Sequence, residues 1–505
     1  MSKFIRADGV PFVRIRRSSA ALLTIYLAWP TGSAYGHAFG QRYDLPLPLW
    51  LYLWGAAGVV AVTFVLLALF GARQRGGAGS SSSGWAGSNV PAMCGNVPRV
   101  VLLPFQVMSV AAFALVLAAG LFGRQDPFKN IAPTAIWIVG WVGLAYVCAF
   151  IGNVWALISP WAVAFAWMET IAGRGRTGTA YSPRFRYPAW LGVWPAVILF
   201  LAFAWAELLW PGRDVPRNIA VVALVYTLVT WAGCLAFGRE AWLRGGELFS
   251  VFFGLVGRFA PLRFMPVNGR WTWRLRPYAV GLLDDKPASS SVTAFVLLTL
   301  STVTIDGLFE TPLWAGVVDL RLGAPPATGG PSGDYIVLAS AALALAPVVF
   351  ATVYLGVVAL IAFAAGTPQP PDGRSMGKLA GRFVLSLVPI GIAYHLAHYL
   401  SFLLLAGQFL IPLSSDPFGF GWDLFGTALY RLDIGIIDAR AAWYTAVAAI
   451  VGGHVIAVWL AHEAALFVFQ DHRAARRSQY PMTALMIGYT VLSLWILAQP
   501  IVEAG

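Results

Sequence analysis

The chain has 505 residues, of which 59% are hydrophobic and only 11% are charged. A soluble domain carries about 25% charged residues, so this composition excludes an ordinary soluble enzyme and favours a membrane protein. The 34 Lys and Arg residues exceed the 22 Asp and Glu residues, but they form no nucleic-acid-binding module and are better explained by membrane topology. The three cysteines stand alone, which argues against a disulfide framework and a thiolate metal site.

Residues 1–36 have the pattern of a signal peptide. A basic stretch ending at Arg17 precedes a short apolar run over residues 18–29, and small residues follow it. Such a pattern directs secretion or membrane insertion. The small-residue spacing permits cleavage after Ala34, Gly36 or Ala38, and an uncleaved signal anchor is the alternative.

The remainder, residues 37–505, predicts a single all-α domain, a polytopic transmembrane helical bundle. Apolar runs of 18 or more residues recur along it, as expected for helices that cross a bilayer. We predict ten spans, at about 49–70, 100–122, 132–151, 188–210, 219–237, 290–311, 335–365, 380–410, 441–468 and 481–502.

Basic residues predict the orientation of these spans. Of the 34 Lys and Arg residues, 21 lie in alternate loops, at 71–99, 172–187, 238–288, 366–382 and 470–479. Cytoplasmic loops are enriched in Lys and Arg, so these loops are expected to be cytoplasmic. We therefore predict that the mature N-terminus and the C-terminus both lie outside.

Four further stretches differ from simple loops. Asn153–Ile171 and Glu247–Phe264 are expected to form interfacial helices lying on the cytoplasmic surface. Residues 71–99 contain a Gly- and Ser-rich run that predicts a flexible cytoplasmic linker. The outer loop Pro412–Arg440 is rich in Gly, Pro and Asp, which predicts ordered turns that cap a site.

Four of the six histidines lie in two consecutive apolar runs. His395 and His398 share one helix face, and His454 and His462 follow in the next span. Three neutral imidazoles with an open position let a divalent metal activate water, so His395, His398 and His454 are candidate ligands for zinc or copper. The alternatives are hydrogen bonds that fix helix packing, a proton relay, or haem held between His398 and His454.

Two acidic residues are the candidate catalytic groups. Asp306 and Glu310 are four residues apart near the outer end of the sixth span, so they share a helix face. A carboxylate inside a membrane is a functional candidate, here as a metal ligand or a general base. Asp306 lies deeper and is the stronger candidate, with Glu310 supporting it. The alternative is that both carboxylates reach the interface and are solvated.

Four segments resemble one known family. They are HAFGQRYDLPLPLWLY at 37–52, TVTIDGLFET at 302–311, SSDPFGFGWDLFGTA at 414–428 and SQYPMTALMIGY at 478–489. They are similar to bacterial integral-membrane proteins of the fenitrothion hydrolase type, over about residue 37 to the end. The resemblance implies hydrolysis of an organophosphorus aryl ester, which yields a nitrophenol and a dialkyl thiophosphate. It also implies a location in the bacterial inner membrane, and it assigns no catalytic residues.

These observations leave three functions open. The first is a membrane-bound hydrolase that takes a hydrophobic small-molecule substrate from the lipid bilayer, using metal-activated water. The second is a transporter or metal-handling protein with an intramembrane His/Asp path. The third is a subunit of a larger membrane complex. A pocket open only to the outside favours the enzyme, whereas a polar chain from His454 through His462 to Glu463 favours transport.

Overall fold

A computed structural model describes residues 47–70, 93–172, 183–267, 269–284, 286–323, 332–366, 376–469 and 471–499. Within these ranges ten helical segments are long and apolar enough to cross a membrane. The protein is therefore an all-α polytopic bundle, as the composition predicts. The predicted signal peptide and most of the predicted linker lie outside the described residues.

The described residues before 257 contain ten α-helices: α1 (Leu49–Phe70), α2 (Arg99–Phe122), α3 (Ile131–Pro133), α4 (Leu144–Phe150), α5 (Trp155–Ile158), α6 (Pro160–Ile171), α7 (Trp194–Leu208), α8 (Pro216–Phe237), α9 (Arg239–Gly245) and α10 (Leu248–Val256). The described remainder contains α11 (Ser290–Phe309), α12 (Pro312–Leu322), α13 (Gly333–Ala364), α14 (Met376–Phe383), α15 (Val388–Ala406), α16 (Leu410–Ser415), α17 (Ala439–Val468) and α18 (His472–Ala498). A π-helix joins α3 to α4, and short 3-10 turns occupy Ala189–Leu191, Val280–Leu282, Val384–Leu387 and Gly407–Phe409.

The ten predicted spans are confirmed, with shifted ends. Eight of them agree with the candidate spans to within three residues. The eighth span runs over Met376–Ser415, because α14, α15 and α16 continue one another through two 3-10 turns. The last span begins at His472, nine residues before its apolar run, because Asp471 caps α18 there. Its side chain accepts hydrogen bonds from the main-chain N–H groups of Arg473 and Ala474.

The helices are arranged around α11. In the most apolar 18-residue stretch of α11, 67% of the residues are buried inside the protein, compared with 11% in the corresponding stretches of α2 and α13. The outer helices expose rows of large apolar side chains, as helices in contact with lipid do. Helices α7, α13 and α15 pack against α11, and α17 packs along α15. The polar residues of α11 therefore face other helices.

The loops meet at two opposite faces. At one face, which we call the loop face, the connection between α2 and α3 binds the long loop after α16, through the main chains of Arg124 and Phe418. At the other, the sheet face, lies a three-stranded antiparallel sheet of order β1–β3–β2. Its strands are β1 (Cys94–Asn96), β2 (Leu262–Val267) and β3 (Arg270–Leu275).

Two sequence interpretations of the sheet face need correction. The predicted linker ends earlier than residue 99, because β1 pairs with β3 and α2 begins at Arg99. The segment Glu247–Phe264 is not a single helix, since α10 ends at Val256 and β2 has begun at Leu262. Both segments expected to lie on the surface also pack inward. Helix α6 buries Trp161, and α10 buries five apolar side chains, among them Phe253.

The loop after α16 is ordered, as its composition predicts. Asp416 accepts hydrogen bonds from two main-chain N–H groups of the turn, those of Phe420 and Gly421. The Gln408 side chain binds the far end of the loop, where it donates to the main-chain carbonyl of Asp433 and accepts from the main-chain N–H of the same residue. Part of this loop docks on the connection between α2 and α3. The contacts that order the loop therefore belong to the loop face itself.

Candidate functional site

A polar cluster lies where α7, α11 and α15 meet. Asp306 belongs to the last turn of α11 and is only 5% exposed. Tyr399 is buried on α15 next to His398, and Glu207 lies in the last turn of α7. Helix α11 carries several Ser and Thr residues in its apolar run, whose hydroxyls bond to its own carbonyls. The hydroxyls of Ser301 and Thr304 are thereby satisfied inside the bundle.

Asp306 is the centre of this cluster. Its Oδ2 atom lies 2.9 Å from Nε2 of His398 and accepts a hydrogen bond from the Tyr399 hydroxyl at 2.7 Å. The same hydroxyl lies 3.4 Å from Oε1 of Glu207. A hydroxyl has one proton to donate, so the shorter contact to Asp306 uses it. A proton on Glu207 would then complete the longer contact, so the cluster is suited to holding and moving a proton.

The cluster opens into a cavity of about 70 Å³. This is several times the space that one water molecule requires. Its wall is largely apolar and comes from α4, α7, α10, α11, α15 and the π-helix. The titratable side chains on the wall are Tyr146, Glu207, Asp306, His395 and Tyr399. Two carboxylates therefore face an apolar space inside a membrane protein.

His395 projects into the same wall from α15. Three aromatic rings surround its imidazole, with ring centroids 5.7 Å away for Trp141, 5.4 Å for Tyr146 and 4.8 Å for Tyr399. The Tyr146 hydroxyl donates to the main-chain carbonyl of His395 and fixes the backbone there. Within the described part of the chain, Nε2 of His395 has no hydrogen-bond partner. The aromatic neighbours therefore position the ring without a hydrogen bond to its Nε2 atom.

The remaining predicted residues lie at the edge of this cluster or outside it. Glu310 is exposed at the C-terminal cap of α11, and its carboxylate is close enough to His398 to interact with it electrostatically. His454 is fully buried, and its Nδ1 atom lies 2.8 Å from the carbonyl of Ile450 one turn earlier. Its ring faces Tyr489 of α18 at 5.9 Å. His462, at the sheet-face end of α17, contacts Gln479.

The predicted three-histidine metal group is not assembled in the described ranges. No set of three or more His, Cys, Asp and Glu residues there is arranged to hold a metal ion. The structure joins His398 to Asp306, whereas the contacts of His454 are with its own helix and with α18. Zinc or copper at His395, His398 and His454 stays a prediction.

Sequence reasoning missed Glu207 and Tyr399. Glu207 interrupts the apolar run AFAWAELLW near the end of its span, and a carboxylate in such a run is itself a signal of function. Tyr399 offers no comparable signal, because tyrosine is common where helices meet the membrane interface. Only the approach of α7 to α15 shows that its hydroxyl lies between two carboxylates.

Comparison with known proteins adds no assignment. No family model, no curated protein and no solved structure matches this chain.

Proposed function

We propose that the protein is a membrane-embedded hydrolase of an apolar ester. The observation that carries the proposal is the cavity wall, on which Asp306, Glu207 and His395 face an apolar space large enough for water and a small organic group. A hydrolase for an oily substrate needs a base and water in such a pocket. Organophosphorus aryl esters of the fenitrothion type are the first substrates to test, because of the family resemblance.

Asp306 is the proposed general base. His398 and Tyr399 hold its carboxylate from two helices, so its position relative to the cavity is defined. It would take a proton from a cavity water while the water oxygen attacks phosphorus and the aryl oxide leaves. His395, whose Nε2 is unoccupied in the described structure, would orient that water. Both groups act from fixed positions, which lowers the reorganisation needed at the reacting centre.

The test is hydrolysis of a nitrophenyl phosphotriester by purified protein, followed by absorbance of the released nitrophenol. Asp306→Asn should lower kcat by at least about 100-fold, because positioned acid and base groups contribute about 10² to 10⁴. His395→Gln should also lower it. The matched control is Asp319→Asn, since Asp319 is exposed on α12. Activity that survives Asp306→Asn unchanged would refute the proposed base.

A metal contribution is measured in the same preparations. Elemental analysis of the wild type is compared with His398→Gln and His454→Gln. Zinc or copper at one equivalent that falls in both variants would support the predicted metal role of those histidines. Metal that persists in both variants would refute it.

One observation favours proton-coupled transport as a second candidate. The Thr304 hydroxyl lies 2.6 Å from the Tyr489 hydroxyl, and the Tyr489 ring faces His454. Polar groups therefore continue from α11 to α18 and α17. The hydrogen bond of His454 goes to Ile450 and that of His462 to Gln479, so neither bond links the two histidines. Proton uptake by reconstituted vesicles that requires Asp306 and Tyr489, without ester hydrolysis, would establish transport instead.

The cellular placement completes the proposal. The apolar helices show a membrane protein, and the concentration of Arg on the sheet face supports placing that face in the cytoplasm of a bacterial cell. The candidate active site would then be reached from the bilayer or from the outer side. Association with other membrane subunits is an open part of this proposal.

A further inference from the structure

A second cavity lies at the sheet-face end of the bundle, away from the proposed catalytic cluster. It measures about 110 Å³ and is enclosed by α1, α17 and α18. The side chains that line it are those of Ala68, His462, Leu466, His472, Arg473, Arg476 and Gln479. Among the described residues, its polar lining thus contains two arginines, two histidines and an amide, and no carboxylate. Such a cavity is complementary to an anion.

The acidic residues nearest in sequence do not line this cavity. Asp471 caps α18 by accepting hydrogen bonds from two main-chain N–H groups. Glu463 follows His462 but is absent from the cavity wall. The cavity also adjoins the first turns of α18, a helix of 27 residues, whose N-terminal end is electropositive. Arg473 and Arg476 are exposed and one turn apart, so both guanidinium groups are available to one ligand.

His462 determines which kind of anion the cavity prefers. It is only 4% exposed, and its Nε2 atom has no partner among the described residues. Its Nδ1 atom lies 2.8 Å from Oε1 of Gln479. The Gln479 amide cannot be reversed without losing a bond, because its Nε2 donates to the Ala475 carbonyl at 2.8 Å. Nδ1 of His462 must therefore be the donor, which leaves a lone pair on Nε2 in the neutral ring.

We propose that this cavity binds a phosphate group that carries a proton, with Arg473 and Arg476 holding its charged oxygens and His462 accepting its P–OH hydrogen bond. Inorganic phosphate retains such a proton at neutral pH, and a phosphate monoester, whose second pKa is about 6, retains it in part of its population. Sulfate and phosphodiester headgroups have none. The ligand is thus inorganic phosphate or the monoester headgroup of phosphatidic acid. The proposal does not depend on the proposed hydrolase activity.

The first test is calorimetry at pH 7 with detergent-purified wild-type protein, because inorganic phosphate still carries a proton at that pH. Inorganic phosphate should bind about tenfold or more tightly than sulfate, because sulfate leaves the His462 lone pair facing an unprotonated oxygen. Arg476→Gln should weaken phosphate binding by about tenfold. The matched control is Arg477→Gln, because Arg477 is exposed next to Arg476 but does not line the cavity. Variants are compared only if they elute as the wild type does.

The second test separates a free anion from a lipid. Native mass spectrometry is performed after release from vesicles that contain phosphatidic acid and phosphatidylglycerol in equal amounts. Retention of phosphatidic acid, lost in Arg476→Gln, assigns the site to the lipid headgroup. Phosphate binding in detergent without that retention assigns it to the free anion. Equal affinity for phosphate and sulfate combined with equal retention of the two lipids overturns the proposal, as does a loss in Arg477→Gln equal to that in Arg476→Gln.

Discussion

Tyr399 shows how one hydroxyl organises the polar cluster. It lies between Asp306 and Glu207, which come from different helices and would otherwise face each other across the cavity wall. Two carboxylates in an apolar surrounding repel each other unless a donor or a proton lies between them. The hydroxyl supplies that donor to Asp306, while His398 contacts the same oxygen. Removing the Tyr399 hydroxyl should therefore lower both the stability of the protein and any catalytic activity of the cluster.

Tyr399→Phe should therefore destabilise the protein by about 1 to 2 kcal/mol, because a buried hydrogen bond to a charged group is lost. Reversible unfolding in mixed detergent measures this change. The matched control is Tyr444→Phe, since Tyr444 is exposed on α17. Combining Tyr399→Phe with Glu207→Gln should cost less than the sum of the two single changes, because both act on one contact. Strict additivity would contradict the shared hydroxyl.

At the scale of elements, the contact of α15 with α17 determines where the histidines point. A Cβ on Gly453 would come within 2.4 Å of the Ala393 Cβ and 2.8 Å of the Pro389 carbonyl oxygen. Helix α17 therefore approaches α15 closely at this glycine, as small residues permit in membrane proteins. The next residue in the chain, His454, is buried and faces Tyr489 of α18. The close contact therefore fixes the rotation of each helix about its own axis.

This packing predicts different results for two adjacent glycines. Gly453→Ala should cost about 1 to 3 kcal/mol of stability, because the added methyl group has no room. It should also lower any hydrolase activity, since α15 carries His395, His398 and Tyr399. Gly452→Ala is the control, because nothing lies within 4 Å of a Cβ built at Gly452. Both variants are compared by unfolding in detergent, and equal losses would disprove the close contact.

The whole molecule has an asymmetric distribution of charge between its two faces. The described acidic residues Asp126, Asp214, Asp416, Asp423, Asp433 and Asp438 lie at the loop face. Arginines are concentrated at the sheet face, and Arg263 lies directly across from Arg274 in the sheet. There burial, and to a smaller extent the neighbouring Arg263 and Arg258, lower the pKa of Arg276 to about 10. Such a concentration of positive charge is favourable next to anionic lipid.

Labelling of Cys94 tests the predicted orientation. Cys94 is exposed in β1 at the sheet face, whereas Cys148 and Cys234 are buried. A membrane-impermeant maleimide should therefore leave intact cells unlabelled and react with Cys94 only after permeabilisation. The control is Asp423→Cys in the otherwise unchanged protein, which places a thiol on the exposed loop face and should react in intact cells. Labelling of Cys94 in intact cells would show that the orientation is the opposite of the predicted one.

The sequence alone determined the membrane architecture, because each span is a local property of about 20 consecutive apolar residues. It also singled out Asp306 and His398, since polar groups in such runs are rare and costly. The partners of these residues depended on the tertiary structure. The rotation of a helix about its axis follows from its contacts with all its neighbours, as at Gly453, and no single span contains that information. For that reason only the folded bundle paired His398 with Asp306, left His454 facing α18, and brought Glu207 to Tyr399.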